Sequence, residues 1–403
     1  MNIEMNVLKT ILLAAILIIL GDKIKSKFSI FTKYCIPAAV IGGLLFSIIT
    51  MALHQSGIAT FTFDGDIQNL LMQIFFAACG CAAGLGLLKT GGKKVLIFVV
   101  LAAVLAFLQN VLAVGVGKLL NVQPLIALMT GSIPMTGGHG NAASFAPVAE
   151  RFGATGAVTV AIAAATFGLI AGSIMGGPVG NRLIIKNDLI NKKNKSHSDD
   201  SVDYGEKKAR PFLDKKRTIL AITIVCISLG LGSYLFDLFK LIMPNVVLPI
   251  HVMCMLGGLI VRNLYDFINK PTDEAIYEQI DIIGDFSLGL FVTMAVMSMK
   301  LWELTSLALP MIVLLFAQVI LAYFFCTIIT FRLMGSDYDA AVMAVGHIGF
   351  GTGAVPVSMT TMKTVCDKYS YSKLAFFVVP IVGGLFSNFT NAAIITGFLN
   401  FFK

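Results

Sequence analysis

The sequence predicts an all-α polytopic membrane protein. It is expected to be an inverted repeat of two five-helix halves, each with a glycine-rich re-entrant segment. Three observations carry that expectation. The first is composition: of 403 residues, 57% are hydrophobic and 13% charged, with a mean hydropathy of +0.86. A soluble domain carries about 25% charged residues, because it must keep a wet surface. The second is a series of long apolar runs separated by short charged stretches. The third is that the order of parts in the first half recurs in the second. Composition alone excludes a soluble enzyme, a nucleic-acid binder and a disordered scaffold. The net charge of +8 does not argue for a nucleic-acid partner. The basic residues sit in short runs between apolar segments, the pattern of cytoplasmic loops in a membrane protein.

Taken in order, apolar spans are expected near 5–21, 34–53, 67–88, 95–117, 155–180, 218–243, 246–262, 280–299, 305–331 and 374–399. Most approach the ~20 residues that a helix needs to cross the hydrocarbon core. The first follows Glu4, has only Lys9 as a basic neighbour, and runs into Gly21-Asp22-Lys23 with no small-x-small cleavage site. That pattern predicts a retained span rather than a signal peptide. Two further apolar pieces, 124–147 and 339–361, are shorter and rich in glycine.

The distribution of Lys and Arg fixes how these pieces run. Loop 22–33 holds four lysines, segment 89–94 three, and loop 181–217 eleven basic residues, while loop 54–66 holds none. If 124–147 crossed the membrane fully, loop 181–217 would face outward, against the positive-inside rule. If it dips in and returns, that loop faces the cytoplasm. The same logic makes 339–361 re-entrant from the inside. The resulting arrangement has both termini outside, with 24 basic residues inside and 6 outside.

The halves 1–180 and 218–403 match part for part, joined by a polar cytoplasmic linker at 181–217. Each has a second span that opens with a proline and carries a glycine pair: Pro37 with Gly42-Gly43, and Pro249 with Gly257-Gly258. Each has a long fourth span with an internal glutamine, Gln109 and Gln318, then the glycine-rich segment, then a fifth span. An odd number of spans per half inverts one half relative to the other. Inverted repeats with short glycine- or proline-interrupted segments at matching places point to a secondary transporter whose site lies at those segments.

The first segment reads Gly131-Ser132-Ile133-Pro134-Met135-Thr136-Gly137-Gly138-His139-Gly140-Asn141-Ala142, and the second Gly346-His347-Ile348-Gly349-Phe350-Gly351-Thr352-Gly353-Ala354-Val355-Pro356. Glycine at alternate positions is expected to let the backbone leave helical geometry and approach a ligand closely. Free N–H groups and half-helix N-termini there suit a carboxylate; free carbonyls suit Na⁺, a hard cation. The competing reading is tight helix packing through small residues. The expected substrate-binding set is Thr136, Gly137, Gly138, His139, Gly140, Asn141, Gly349, Gly351, Thr352 and Gly353, with Ser144 nearby. Ser132, Asn388, Thr390 and Asn391 are expected to hold sodium and Gln109 and Gln318 to join helices, while Asn110, a buried amide, suits either role. His139 and His347 suit structural hydrogen bonds more than proton shuttling. Asp285, an ionisable residue inside a span, is a functional candidate by position. Lys300, Trp302 and Glu303 resemble an interfacial anchor with an ion pair.

Other classes find less support. No G-x-x-x-x-G-K-[ST], G-x-S-x-G or H-E-x-x-H occurs, which argues against an ATP-driven pump or a membrane hydrolase. A channel would also use glycine-rich loops, but two opposed loops within one chain suit alternating access better. Seven cysteines contain no C-x-x-C pair, so they read as small packing residues rather than a transition-metal or redox site.

Several stretches resemble the bacterial glutamate:sodium symporter family. They are Gly131-Ser132 through Gly137-Gly138-His139-Gly140, Ala165-Thr166-Phe167-Gly168 through Gly176-Gly177-Pro178, Lys300-Leu301-Trp302-Glu303-Leu304 through Leu309-Pro310, Tyr338-Asp339-Ala340-Ala341, and Gly346-His347 through Gly353-Ala354. Where the family usually continues Gly-Gly-His-Gly with Thr-Gly, this chain has Asn141-Ala142. The resemblance implies uptake of L-glutamate coupled to Na⁺ across a bacterial inner membrane, with no organic cofactor. It also implies kinship with sodium:citrate carriers, hence a lipid-embedded homodimer with an elevator-type mechanism. The residues by themselves imply an anion-capable, ion-coupled carrier, which leaves another amino acid or a dicarboxylate, and coupling to protons, as alternatives.

Overall fold

A computed structural model describes residues 2–34, 36–82, 85–190, 214–244, 246, 248–269, 273, 275–304 and 308–403, without the side chains of 85–91 and 303–304. Of the expected linker, residues 191–213 lie outside the described residues, as does the Glu303 side chain of the expected anchor. The described chain is almost wholly helical. That follows from its solvent, because a lipid-facing backbone must satisfy its own hydrogen bonds.

The helices of the first half are α1 (Val7–Lys27), α2 (Ser29–Lys33), α3 (Ala38–Gln55), α4 (Asp66–Ala82), α5 (Leu85–Leu119), α6 (Pro124–Leu128), α7 (Ser132–Met135), α8 (Gly138–Glu150) and α9 (Ala157–Lys186). Those of the second are α10 (Lys215–Ile242), α11 (Ile250–Ile268), α12 (Ala275–Met297), α13 (Ala308–Leu333), α14 (Tyr338–Thr352), α15 (Val355–Lys368) and α16 (Lys373–Phe402). Both α13 and α16 contain a stretch of π-helix, Phe325–Thr330 and Val382–Phe386. The second follows Pro380, which lacks the N–H an unbroken helix would use.

Among the described residues, seven helices are long and apolar enough to cross a membrane: α3, α5 from Gly92 onward, α9, α10, α12, α13 and α16. Helices α1, α4 and α11 occupy the three other expected spans, with 21, 17 and 19 residues. α1 runs further than the expected 5–21. Asn6 caps its start, its side chain accepting from the Lys9 N–H at 3.0 Å, and Lys25 and Lys27 favour its C-terminal dipole. Leu8, Leu12, Ile16 and Ile19 on α1, and Phe316, Ile320 and Phe324 on α13, are exposed, as lipid-facing residues would be.

Glycines set the close helix crossings. A methyl at Gly42 would strike the Leu17 carbonyl of α1, and one at Gly257 the Ser228 carbonyl of α10. The neighbouring glycines turn to other partners. A methyl at Gly43 would lie 2.6 Å from Val296 Cβ on α12, and one at Gly258 would strike the Ala77 carbonyl of α4. Helix α3 therefore sits between α1 and α12, and α11 sits between α10 and α4. In lipid, such backbone approaches drive association where hydrophobic burial does not.

Loop contacts join residues far apart in the chain. Asn2–Met5 (β1) pairs in parallel with Thr60–Phe63 (β2), a strand the apolar pattern did not foretell. The rings of His54 and Trp302 stack at 4.0 Å. Lys94 lies 3.9 Å from Asp337, Arg217 2.7 Å from Asp273, and Lys368 Nζ donates to Asn181 Oδ1 at 2.7 Å.

Candidate functional site

The site is built on α7. Its first N–H, on Ser132, donates to Asn110 Oδ1 of α5 at 2.9 Å, and Asn110 Nδ2 donates to Ser132 Oγ at 2.8 Å. Asn110 thus caps a helix of another segment, satisfying a group that a helix start leaves bare. Asn391 Nδ2 of α16 donates to the Ser132 carbonyl at 3.0 Å. One residue earlier on α5, Gln109 Oε1 accepts from Thr136 Oγ1 at 2.7 Å, and Gln109 Nε2 donates to the Gly351 carbonyl at 2.6 Å. Gln318 Nε2 of α13 donates to the Gln109 carbonyl at 2.8 Å. One amide therefore touches both glycine-rich segments, and the second amide holds the first one's backbone.

The chain breaks at Gly137-Gly138, between α7 and α8, where Gly138 has φ +60°, a conformation that favours glycine. It breaks again at Gly353-Ala354, between α14 and α15. The two breaks meet: a methyl on Gly138 would lie 3.0 Å from the Gly353 carbonyl oxygen. Helices α8 and α15 both start there without a side-chain cap, and Pro356 sits in the first turn of α15. Uncapped helix starts present N–H groups and positive dipole ends, which suit an anion.

The structure redistributes the expected glycine roles. Gly140 lies inside α8, and Gly349 and Gly351 inside α14, so the backbone is helical there. A methyl on Gly349 would lie 2.5 Å from Ser358 Cα and one on Gly351 2.9 Å from Leu105 Cδ2. These two glycines serve close packing; Gly137, Gly138 and Gly353 serve the breaks.

The other expected residues fall into two groups. Ser132, Thr136, Asn141, Thr352 and Asn391 are buried around the junction. His139 faces Thr166 of α9 at 3.0 Å between Nε2 and Oγ1. Ser144 donates to the Asn141 carbonyl and Thr352 to the Ile348 carbonyl. Asn388 and Thr390, by contrast, bond back to carbonyls of their own helix, at Gly384 and Phe386. His347 Nδ1 pairs with Thr330 Oγ1 at 2.9 Å among Phe98, Phe325 and Phe350. Asp285 lies on the exposed face of α12 with Ile282 and Phe286.

Three buried amide atoms have no hydrogen-bond partner among the described residues: Asn141 Nδ2, Gln318 Oε1 and Asn391 Oδ1. Leaving such a group unpaired costs about 1–3 kcal/mol. Taken singly, the Asn141 Nδ2 donor suits a carboxylate, and the Gln318 and Asn391 oxygens are of the kind that suits Na⁺.

Sequence reasoning missed the partner of this assembly, α9. A methyl on Gly168 would strike the Thr352 carbonyl, and one on Gly172 would lie 2.6 Å from Thr352 Oγ1. Gly176 and Gly180 repeat the pattern against Thr361 and Val365. The four-residue spacing of these glycines is visible in the sequence.

Known proteins resemble the chain over nearly its whole length. A family model described as sodium/glutamate symporter matches residues 3–371. The chain is 35% identical over 401 residues to a sodium/glutamate symporter of Haemophilus influenzae, covering 98% of this chain and 97% of the relative. It is 35% identical over 398 residues to a sodium/glutamate symporter of Escherichia coli, covering 98% of each. A sodium/glutamate symporter of Shigella flexneri matches to the same extent. With the match running over nearly the whole chain, junction included, the protein belongs to the sodium/glutamate symporter family.

Proposed function

We propose that the protein is a Na⁺-coupled symporter that imports L-glutamate, holding substrate and ion where the two glycine breaks meet. The observation that carries this reading is the approach of Gly138 to Gly353 with Gln109 bonded to both segments. Backbone N–H groups at the starts of α8 and α15, with the Asn141 amide, bind a carboxylate. Asn391 Oδ1 and Gln318 Oε1 supply oxygens to Na⁺. The relatives' names supply glutamate and sodium.

The two halves form an inverted repeat on this reading. Its support is the matched packing: α3 on α1 and α12 through Gly42-Gly43, and α11 on α10 and α4 through Gly257-Gly258. Helices 124–150 and 338–368 are the two re-entrant segments, entering from opposite sides. Both termini lie outside and 181–217 inside. In support, β1 with β2 and His54 with Trp302 each join residues expected outside, while Lys94 with Asp337 and Lys368 with Asn181 join residues expected inside. The working unit is a homodimer in the bacterial inner membrane. Helices α1, α3, α4 and α10–α12 form its static part, and the remainder carries substrate by an elevator-type movement.

The test is radiolabelled glutamate uptake into proteoliposomes under an imposed Na⁺ gradient, with aspartate and citrate as competitors. Concentrative uptake is expected with Na⁺ and none with choline at the same membrane potential. Uptake sustained by a proton gradient alone would overturn sodium coupling, and stronger competition by citrate than by unlabelled glutamate would overturn the substrate.

A further inference from the structure

We propose that a cavity between the ends of α9 and α13 is a binding site for an anionic glycerophospholipid, its phosphodiester held by Arg182, Lys186 and Arg332. The cavity measures about 270 Å³ and is lined by those three cations, with no acidic residue among its lining groups. Arg182 and Lys186 come from one turn of α9 and Arg332 from the end of α13, 146 positions beyond Lys186, so the fold gathers them. Among the described residues none of the three makes a salt bridge, whereas Lys94, Arg217 and Arg262 each do. Arg182 Nη1 donates to the Tyr323 hydroxyl at 2.9 Å, which orients the guanidinium from across the cavity.

The apolar rim completes the match. Phe324 and Ile328 line the same cavity and are 54% and 44% exposed. A cationic pocket opening onto exposed apolar helix surface fits a molecule with an anionic head and acyl tails. A soluble anion would use the cations and leave the rim bare. Basic pockets between membrane helices bind such head groups, each cation adding attraction to an anionic lipid. The π-helical stretch Phe325–Thr330 forms part of the wall through Thr327 and Ile328. Thr330 of the same stretch bonds His347, so this stretch links the pocket to the helix that ends at the second break. The site itself is independent of the proposed function; with Arg182 beside the linker placed inside, the proposed orientation would put it in the cytoplasmic leaflet.

Native mass spectrometry of the detergent-purified protein tests this, with phosphatidylglycerol and phosphatidylethanolamine added in turn. Phosphatidylglycerol is expected to stay bound and phosphatidylethanolamine to be lost. R182Q/K186Q/R332Q should weaken phosphatidylglycerol binding about tenfold or more. K23Q/K25Q/K27Q, which removes three cations from the loop side of α1, should leave it unchanged. K186E alone, at an exposed position, should reduce binding even if the triple variant expresses poorly. Equal retention of both lipids, or phosphatidylglycerol binding unaffected by K186E and by the triple variant, would overturn the proposal. So would millimolar inorganic phosphate displacing the lipid and raising the melting temperature as the lipid does, which would make it a site for a free anion.

Discussion

Gly138 stands at positive φ close to the Gly353 carbonyl, so a side chain there meets two penalties at once. Left-handed geometry costs a residue other than glycine about 1–2 kcal/mol, and the methyl would crowd an oxygen 3.0 Å away. Gly138→Ala is expected to weaken glutamate binding about tenfold, read by calorimetry or by competition in uptake. Gly351→Ala should do much less, because its methyl meets the movable tip of Leu105 and, at ordinary contact distance, the His347 ring. Equal effects of the two would mean that both segments are mere packing. Gln109→Leu should abolish uptake while the protein still assembles, since it strips a partner from the Thr136 hydroxyl and the Gly351 carbonyl together. Retained uptake would show that this bridge is dispensable. The sequence marks the glycine runs and the amides, but a glycine that bends the chain and one that admits a neighbour look alike until the neighbour is known. Asn388 and Asn391 are similarly alike in sequence. Only the packing shows that one reaches Ser132 and the other turns back to Gly384.

At the scale of elements, α9 is the surface on which the second hairpin, α14 and α15, rests. Its glycines at 168, 172, 176 and 180 leave room for Thr352, Thr361 and Val365. Gly168→Ala would press a methyl onto the Thr352 backbone, an overpacking of about 1–3 kcal/mol. It should lower the melting temperature and impair uptake together, because the displaced residue adjoins the second break. Gly42→Ala should lower stability comparably through the α1–α3 crossing while leaving the affinity of the folded fraction intact. Spans were legible because lipid demands long apolar helices. Their ends were less so, since α1 continues through Asp22–Lys27 on capping and dipole terms that hydropathy does not register. The strand pair β1–β2 was invisible, because a four-residue edge depends on which distant segment lies beside it.

For the whole molecule, the proposed orientation makes a direct prediction. In a cysteine-free background, cysteines placed at Ser56 and Lys216, both exposed, should label from opposite sides of intact cells. Labelling of the Lys216 position by an impermeant reagent added outside would reverse the orientation or break the re-entrant arrangement. The basic-residue count sets the expectation of which loops share a side. It could not anticipate that residues 2–5 would pair with 60–63, or that His54 would stack on Trp302.

The two fourth spans each bring a glutamine to the centre, yet the two do unlike things. Gln109 reaches both segments with its side chain, while among the described residues Gln318 reaches only the backbone of Gln109 and keeps an oxygen unpaired. A perfectly two-fold centre would accept a ligand in two opposed orientations of equal energy. It would have no means of telling the two ends of a chiral molecule apart. On the proposed inverted-repeat reading the unequal glutamines remove that degeneracy, so handedness and direction of a bound molecule are set where the two halves differ.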